Sequence, residues 1–93
     1  MEETKNKNQR YFFTYGVSGQ PFVGGWTEVE APGYSAARAL FRIYHPDRTE
    51  GVVNCADIYL EEHMMASEMW KSGNLGSRCH ERITVSRVIY DNE

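Results

Sequence analysis

The 93-residue sequence lacks a long apolar segment: no uninterrupted apolar run approaches the roughly 18 residues that a membrane-spanning helix needs. Residues 1–9 are polar and charged, without the apolar stretch typical of a signal peptide. These absences predict a protein without a membrane partner that stays in the cytoplasm.

The sequence also lacks an excess of basic charge. Ten Lys and Arg residues stand against thirteen Asp and Glu, which gives a net charge of −3 and a pI of about 5.6. A protein that binds duplex nucleic acid needs a basic surface to displace counterions from the phosphates. The charge balance therefore argues against duplex DNA or RNA, while a few local arginines are enough to hold a nucleotide-sized ligand.

Cysteine is scarce as well, since only Cys55 and Cys79 are present. In a reducing compartment we expect free thiols. A zinc site usually contains a CxxC pair, and neighbouring Cys79 and His80 point to opposite faces of a strand. A Cys–His nucleophile is also disfavoured, because Cys55 lies in a strand expected in the core. The sequence thus predicts neither metal nor cofactor, and a protein that is not an enzyme.

Aromatic residues are abundant, at 13 % of the chain. Two interpretations stay open: a small domain using large side chains to fill its core, or a binding surface enriched in Tyr and Trp. Because 93 residues suffice for one domain, we expect a disordered polar tail over 1–9 and a single domain over 10–93. The oligomeric state stays open between monomer and homodimer.

Two strands are expected near the N-terminus. Tyr11, Phe13 and Tyr15 alternate onto one face of the first, and residues 25–31 form the second. The Gly- and Pro-containing segment between them predicts an antiparallel hairpin. Trp26 is expected on the strand face that carries Glu28, away from the centre of the main core.

A helix is predicted over residues 35–44, with Ser35 as its N-cap and Pro46 as its stop signal. Helical spacing places Arg38, Arg42 and His45 together on the side opposite the apolar residues. The expected core-facing residues are Ala36, Leu40, Ile43 and Tyr44, joined by Ala37 and Phe41.

The rest of the chain predicts a strand over 52–59, a helix over 61–72 and a strand over 82–90 with a bulge near 86–87. The expected fold class is α+β, a two-layer ββαβαβ arrangement with an antiparallel or mixed sheet and two helices on one face.

The first candidate site is basic. Arg38, Arg42, His45 and Arg48 are expected to form a cationic surface on this acidic protein, with Trp26 as an aromatic neighbour. Arginine offers bidentate donors to phosphate or carboxylate, and aromatic rings offer stacking surfaces. The alternative is a solvated helix face with no ligand.

The second candidate site is the loop over 73–81, which contains Asn74, Cys79 and His80. Its glycines, like Gly24 and Gly25, could supply backbone amides to an anion. Neither segment matches a phosphate-binding fingerprint, so a bulge and a helix-ending turn are the favoured interpretations.

Taken together, several short motifs give the chain a resemblance to small accessory proteins carried by phages and conjugative elements of Gram-positive gut bacteria. The motifs are Tyr11–Gly16, Gly24–Pro32, Ala39–Arg42, His45–Arg48, Asn54–Ala56, Gly73–Gly76 and Cys79–Glu81.

The resemblance implies a non-enzymatic binding protein of a mobile element. Such proteins often act as stoichiometric inhibitors, of the anti-CRISPR or another anti-defence type, that bind a host defence protein or sequester a signalling nucleotide. Two alternatives stay open: a small single-strand nucleic-acid-binding or regulatory module, and a small enzyme of unknown chemistry.

Overall fold

The computed structural model describes residues 8–85 and 88–90, with the backbone alone for the last three. Five strands and three helices follow in the order ββαβααββ. The strands are β1 (Gln9–Thr14), β2 (Trp26–Ala31), β3 (Asp57–Leu60), β4 (Cys79–Ile83) and β5 (Val88–Tyr90), and the helices are α1 (Tyr34–Tyr44), α2 (Glu61–Met65) and α3 (Glu68–Ser72).

The strands form one mixed sheet in the order β3-β1-β2-β4-β5. The predicted hairpin is confirmed, since β1 and β2 pair antiparallel from Gln9–Ala31 to Thr14–Trp26. Strands β2 and β4 pair in parallel at the centre, and the register shifts by a bulge after Trp26. The α+β class is therefore confirmed, although the element order differs from ββαβαβ.

Helix α1 covers one face of the sheet. Its Phe41 stacks on Phe13 of β1, with ring centroids 4.4 Å apart and planes at 6°. The larger hydrophobic core lies on this side of the sheet. It includes the residues that were predicted to share one face of β1. Its buried residues are Tyr11, Phe13, Tyr15, Val29, Ala31, Ala37, Phe41 and Ile83.

The predicted orientation of α1 is only partly right: Ala37, Phe41 and Leu40 face the core as expected, and Ala36, Ile43 and Tyr44 do not. The helix buries Ala37 and Phe41, while Ile43 is 69 % exposed and Ala36 and Tyr44 are also exposed. Leu40 is half-buried against the core. Apolar residues occur on several sides of this helix, so its periodicity is compatible with two different core-facing sides. The helix begins at Tyr34, and Gly33 rather than Ser35 occupies the N-cap.

Helices α2 and α3 belong to a second core. Phe12 and Trp26, which point to the other side of β1 and β2, are buried together with Met64 of α2. Trp70 of α3 packs against Phe12 edge-on, with centroids 5.9 Å apart. The sheet is therefore covered on both faces, which corrects the expected two-layer arrangement with both helices on one face.

The remaining boundaries differ in detail. The predicted helix over 61–72 is two helices, because the hydroxyl of Ser67 accepts from the Trp70 amide and starts α3. The predicted strand over 52–59 is a loop followed by β3. The predicted bulge near 86–87 and most of the predicted tail lie outside the described residues. Across the described part of the chain, no helix has the length and apolar character to span a bilayer.

Candidate ligand-binding groove

The three arginines of the predicted basic surface contact other groups of the protein. Arg42 Nε donates to Asp47 Oδ1 at 2.8 Å, and Arg48 donates to the carbonyl of Gly19 at 2.7 Å. Arg38 lies over the ring of Tyr34, 5.0 Å from its centroid, and its buried Nε has no acceptor among the described residues. The contacts of Arg42 and Arg48 fix the end of α1 and its exit loop.

His45 lies on the inner side of α1, where the sequence analysis did not place it. It follows Phe41 by one helical turn and hydrogen bonds through Nε2 with Glu81 Oε2. Glu81 is 1 % exposed and also accepts from Thr27 Oγ1 at 2.8 Å. Tyr15 in turn donates to Thr27 at 2.6 Å. A buried carboxylate on β4 therefore explains why a polar residue takes a core-facing position.

Trp26 does not neighbour these residues as expected. It is 2 % exposed and belongs to the core formed with α2, on the sheet face opposite α1. Trp26 and Val29 lie on opposite faces of β2, as predicted. The prediction that Trp26 has open space around its side chain is wrong, because α3 covers that face.

The Asn74 loop is a structural support. Asn74 and Ser77 exchange two backbone hydrogen bonds around a tight turn at Leu75 and Gly76. The side-chain amide of Asn74 donates to the carbonyls of Tyr15 at 2.7 Å and Gly25 at 2.9 Å. The Gly25 amide donates to the carbonyl of Asn74 at 2.8 Å, so it is not an open anion donor.

The double glycine allows this close approach. Gly24 and Gly25 both have positive φ, at 75° and 70°. A Cβ at Gly24 would lie 2.6 Å from the carbonyl oxygen of Asn74, and one at Gly25 would collide with Arg78 and His80. The glycines that the sequence placed in a bulge thus let the 73–78 loop cross the start of β2.

His80 and the cysteines also have structural surroundings. His80 Nε2 donates to the carbonyl of Gly24 at 3.0 Å, and its ring stacks on Phe22 with centroids 4.1 Å apart. Cys79 Sγ donates to the carbonyl of Glu81 at 3.4 Å. Burial raises the pKa of the Cys55 thiol to about 12, so this residue is protonated at neutral pH.

A groove of about 340 Å³ opens on the sheet face covered by α3. We call it the tryptophan groove. Both tryptophans of the chain line it, and the full lining is Trp26, Glu28, Trp70, Arg78, Cys79 and Arg82. The indoles of Trp26 and Trp70 are stacked, with centroids 5.9 Å apart and planes at 29°. The groove therefore has an aromatic base and a charged rim.

The indole N–H of Trp26 is a buried donor without an acceptor among the residues that the structure describes. Buried tryptophan N–H groups normally find a hydrogen-bond partner, and an unsatisfied one costs about 1–3 kcal/mol. The N–H is enclosed by the fold, so this donor stays unsatisfied beside the groove.

Two arginines supply the positive charge of the rim, and both are exposed. Arg78 donates to the carbonyl of Trp70 at 2.6 Å, and its guanidinium lies 5.8 Å from the Trp26 ring centroid. Arg82 Nε lies 3.6 Å from the carboxylate of Glu28. Glu28 also pairs with Arg10 at 3.3 Å, so its negative charge is shared between two guanidinium groups.

A larger depression of about 560 Å³ lies beside α2 and the start of β1. Its one arginine, Arg10, is held between Glu28 and Glu61. Hydrogen bonding to Glu61 raises the pKa of this guanidinium, which is therefore a structural cation. Within residues 8–85, no three His, Cys, Asp or Glu side chains lie close enough to hold a metal ion.

Comparison of the chain with protein-family models, curated proteins and solved structures finds no match. The resemblance to accessory proteins of mobile elements therefore stays a prediction. The site must be judged from its own geometry.

Sequence reasoning placed Trp26 and Cys79 in candidate sites but missed Glu28, Trp70, Arg78 and Arg82, the other side chains of the tryptophan groove. Trp70 stood in a predicted helix without a clean apolar stripe, and Arg78 and Arg82 stood outside any helical pattern. One signal was present: the irregular pattern of 61–72 is typical of two short helices that leave an aromatic residue half-buried.

Proposed function

We propose that this protein is a non-enzymatic binding protein that holds an acidic group of its partner in the tryptophan groove. The observation that carries the proposal is a groove in which the stacked indoles of Trp26 and Trp70 lie beside the exposed side chains of Arg78 and Arg82. An acidic group would accept hydrogen bonds from these guanidinium groups.

The chemistry of the other polar residues supports binding over catalysis. The Cys55 thiol is kept protonated by burial, which weakens it as a nucleophile. His45 and His80 both hydrogen bond to groups of the fold, the first to Glu81 and the second to Gly24. A histidine that acts as a base must instead reach the proton that it removes.

The resemblance adds a cellular setting to this proposal. A stoichiometric inhibitor from a mobile element would use the tryptophan groove to hold an acidic group of a host defence protein or a signalling nucleotide. This part of the proposal depends on the resemblance alone.

Native mass spectrometry of the full chain, purified from its own host, tests the proposal. We expect a bound acidic species that is retained by wild-type protein and lost when Arg78 and Arg82 are both changed to Ala. Arg48→Ala is the matched control, because this exposed arginine contacts Gly19 outside the groove. Loss of the species in the control alone, or its retention in the double variant, would contradict the proposal.

A further inference from the structure

We propose that the ligand of the tryptophan groove is a single nucleotide, whose base stacks on Trp70 and whose phosphate is held by Arg78 and Arg82. This inference rests on the proposed function and adds the ligand class. The proposed ligand is a free nucleotide. The alternative is an acidic segment of a protein, and the experiment below distinguishes the two.

The size of the groove favours a small ligand. Pockets that hold small molecules usually measure about 300–1,000 Å³, and the tryptophan groove, at about 340 Å³, lies at the lower end of that range. One ring system with its attached charged group fills such a space. A single-stranded polymer would need several stacking positions in a row, together with a longer basic track.

The aromatic base of the groove favours a planar group. Trp70 is half-buried, and its packing against Trp26 and Phe12 holds the indole in one orientation. A ring fixed in this way loses little conformational entropy when a base stacks on it.

The arginines favour phosphate. A guanidinium presents planar, paired donors that match phosphate oxygens. Arg78 is held in place from two sides, by the carbonyl of Trp70 and by the ring of Trp26. Arg82 is held by its ion pair with Glu28. Both charges are therefore positioned before a ligand arrives, which reduces the entropy that binding must overcome.

The overall charge is consistent with a mononucleotide and not with a polymer. The protein carries a net charge of −3, so long-range attraction to a polyanion is weak and binding must come from local contacts. A nucleotide needs only the two arginines and the stacked ring.

The two tryptophans make the experiment specific, because both line the groove and fluorescence excited selectively at tryptophan therefore reports on this site. Full-length protein is titrated with AMP, GMP, CMP and UMP, with the matching nucleosides, with inorganic phosphate and with a short oligoglutamate peptide. At least one nucleotide should change the fluorescence in a saturable way and bind about tenfold or more tightly than its nucleoside and than phosphate.

The variants assign the contacts. Arg82→Ala removes a phosphate contact, so it should weaken nucleotide binding about tenfold, which corresponds to about 1.4 kcal/mol. Nucleoside binding should be unchanged, because a nucleoside has no phosphate. Trp70→Ala removes the ring on which the base stacks and should weaken both, as measured by calorimetry. Arg48→Ala should change neither. Melting curves establish that each variant is folded, and Arg78→Ala replaces Arg82→Ala if the latter is not.

The outcomes separate the ligand class from the site. Phosphate that binds as tightly as every nucleotide would overturn the ligand class, because the ring would then contribute nothing. Oligoglutamate that binds through the same arginines, while nucleotides do not, would also overturn it and leave the groove as an acidic-peptide site. If no probe binds and native mass spectrometry finds no acidic species, both the ligand class and the proposed function fail.

Discussion

The two faces of the sheet solve the same packing problem in different ways. The face under α1 buries a chain of polar groups, and Tyr15, Thr27, Glu81 and His45 bond to one another. The face under α2 and α3 buries Trp26, whose indole N–H has no acceptor in the part of the chain described. The polar network under α1 is internally satisfied, and the second face is open at a groove.

This difference predicts which face of the sheet contributes most to stability and which face contacts a ligand. A satisfied buried network rigidifies the structure around it, whereas a groove lined by exposed arginines and a half-buried ring leaves groups that a ligand can contact. We therefore expect substitutions under α1 to affect folding most and substitutions in the tryptophan groove to affect binding most.

The largest expected effect is on the α1 face. Phe41→Ala should lower the free energy of unfolding by about 3–5 kcal/mol, because Phe41 is fully buried and stacks on Phe13. Ile43→Ala, on the exposed side of the same helix, should change it by less than about 0.5 kcal/mol. Urea denaturation measures both. Equal effects would mean that α1 presents a different face to the sheet.

A smaller effect is expected from the buried network. His45→Ala removes one of the two hydrogen-bond partners of Glu81 and should cost about 1–3 kcal/mol, the usual range when a buried polar group loses a partner. The matched control is His63→Ala, because the His63 side chain is 64 % exposed and should contribute little. Thermal denaturation at neutral pH distinguishes the two. If His45→Ala leaves the melting temperature unchanged, the hydrogen bond between His45 and Glu81 does not stabilise the fold.

An intermediate effect is expected at alkaline pH. Burial raises the pKa of the Cys55 thiol from 9.0 to about 12 and also raises that of the Tyr15 phenol. Between these values the folded chain keeps protons that the unfolded chain has lost, so stability present below pH 9 declines as the pH rises toward 12. Melting temperatures across this range should fall less steeply for Cys55→Ala. An identical decline would show that Cys55 does not contribute.

The smallest expected effect is a gain. Leu75 is 66 % exposed and has a positive φ of 54°, a conformation that costs a bulky residue about 1–2 kcal/mol. Leu75→Asn should stabilise the protein by about 1 kcal/mol and raise the melting temperature by about 4–8 °C. Leu75→Ala keeps the strained Cβ and should give no such gain. Equal gains from both variants would mean that the exposed leucine side chain, and not its positive φ, lowers the stability.

The sequence was informative where one pattern excluded the others. Alternation in β1 and β2 predicted the hairpin and the inward residues correctly, because one-residue shifts exchange the faces of a strand. Pro46 correctly marked the end of α1. The face of α1 was not predictable from periodicity, since the inward His45 is compatible with the core only because Glu81, far along the chain, lies opposite it.

The candidate site was only partly predictable for a similar reason. Trp26 was singled out, but its neighbours Trp70, Arg78 and Arg82 come from α3, the following loop and β4. Their meeting depends on the parallel pairing of β2 with β4 and on the 73–78 loop crossing Gly24 and Gly25. No local pattern encodes a contact between such distant segments.

That parallel pair at the centre of the sheet also constrains how the chain folds. Thr27 and Glu81 are partners 54 positions apart, so the middle of the sheet closes only after a long loop has been ordered. High contact order slows folding, and domains dominated by non-local strand pairs fold in milliseconds to seconds. Both strands of the β1–β2 hairpin precede β4 in the chain, so we expect the β2 edge of this hairpin to be exposed until β4 has been synthesised. The groove is therefore among the last features of the molecule to form.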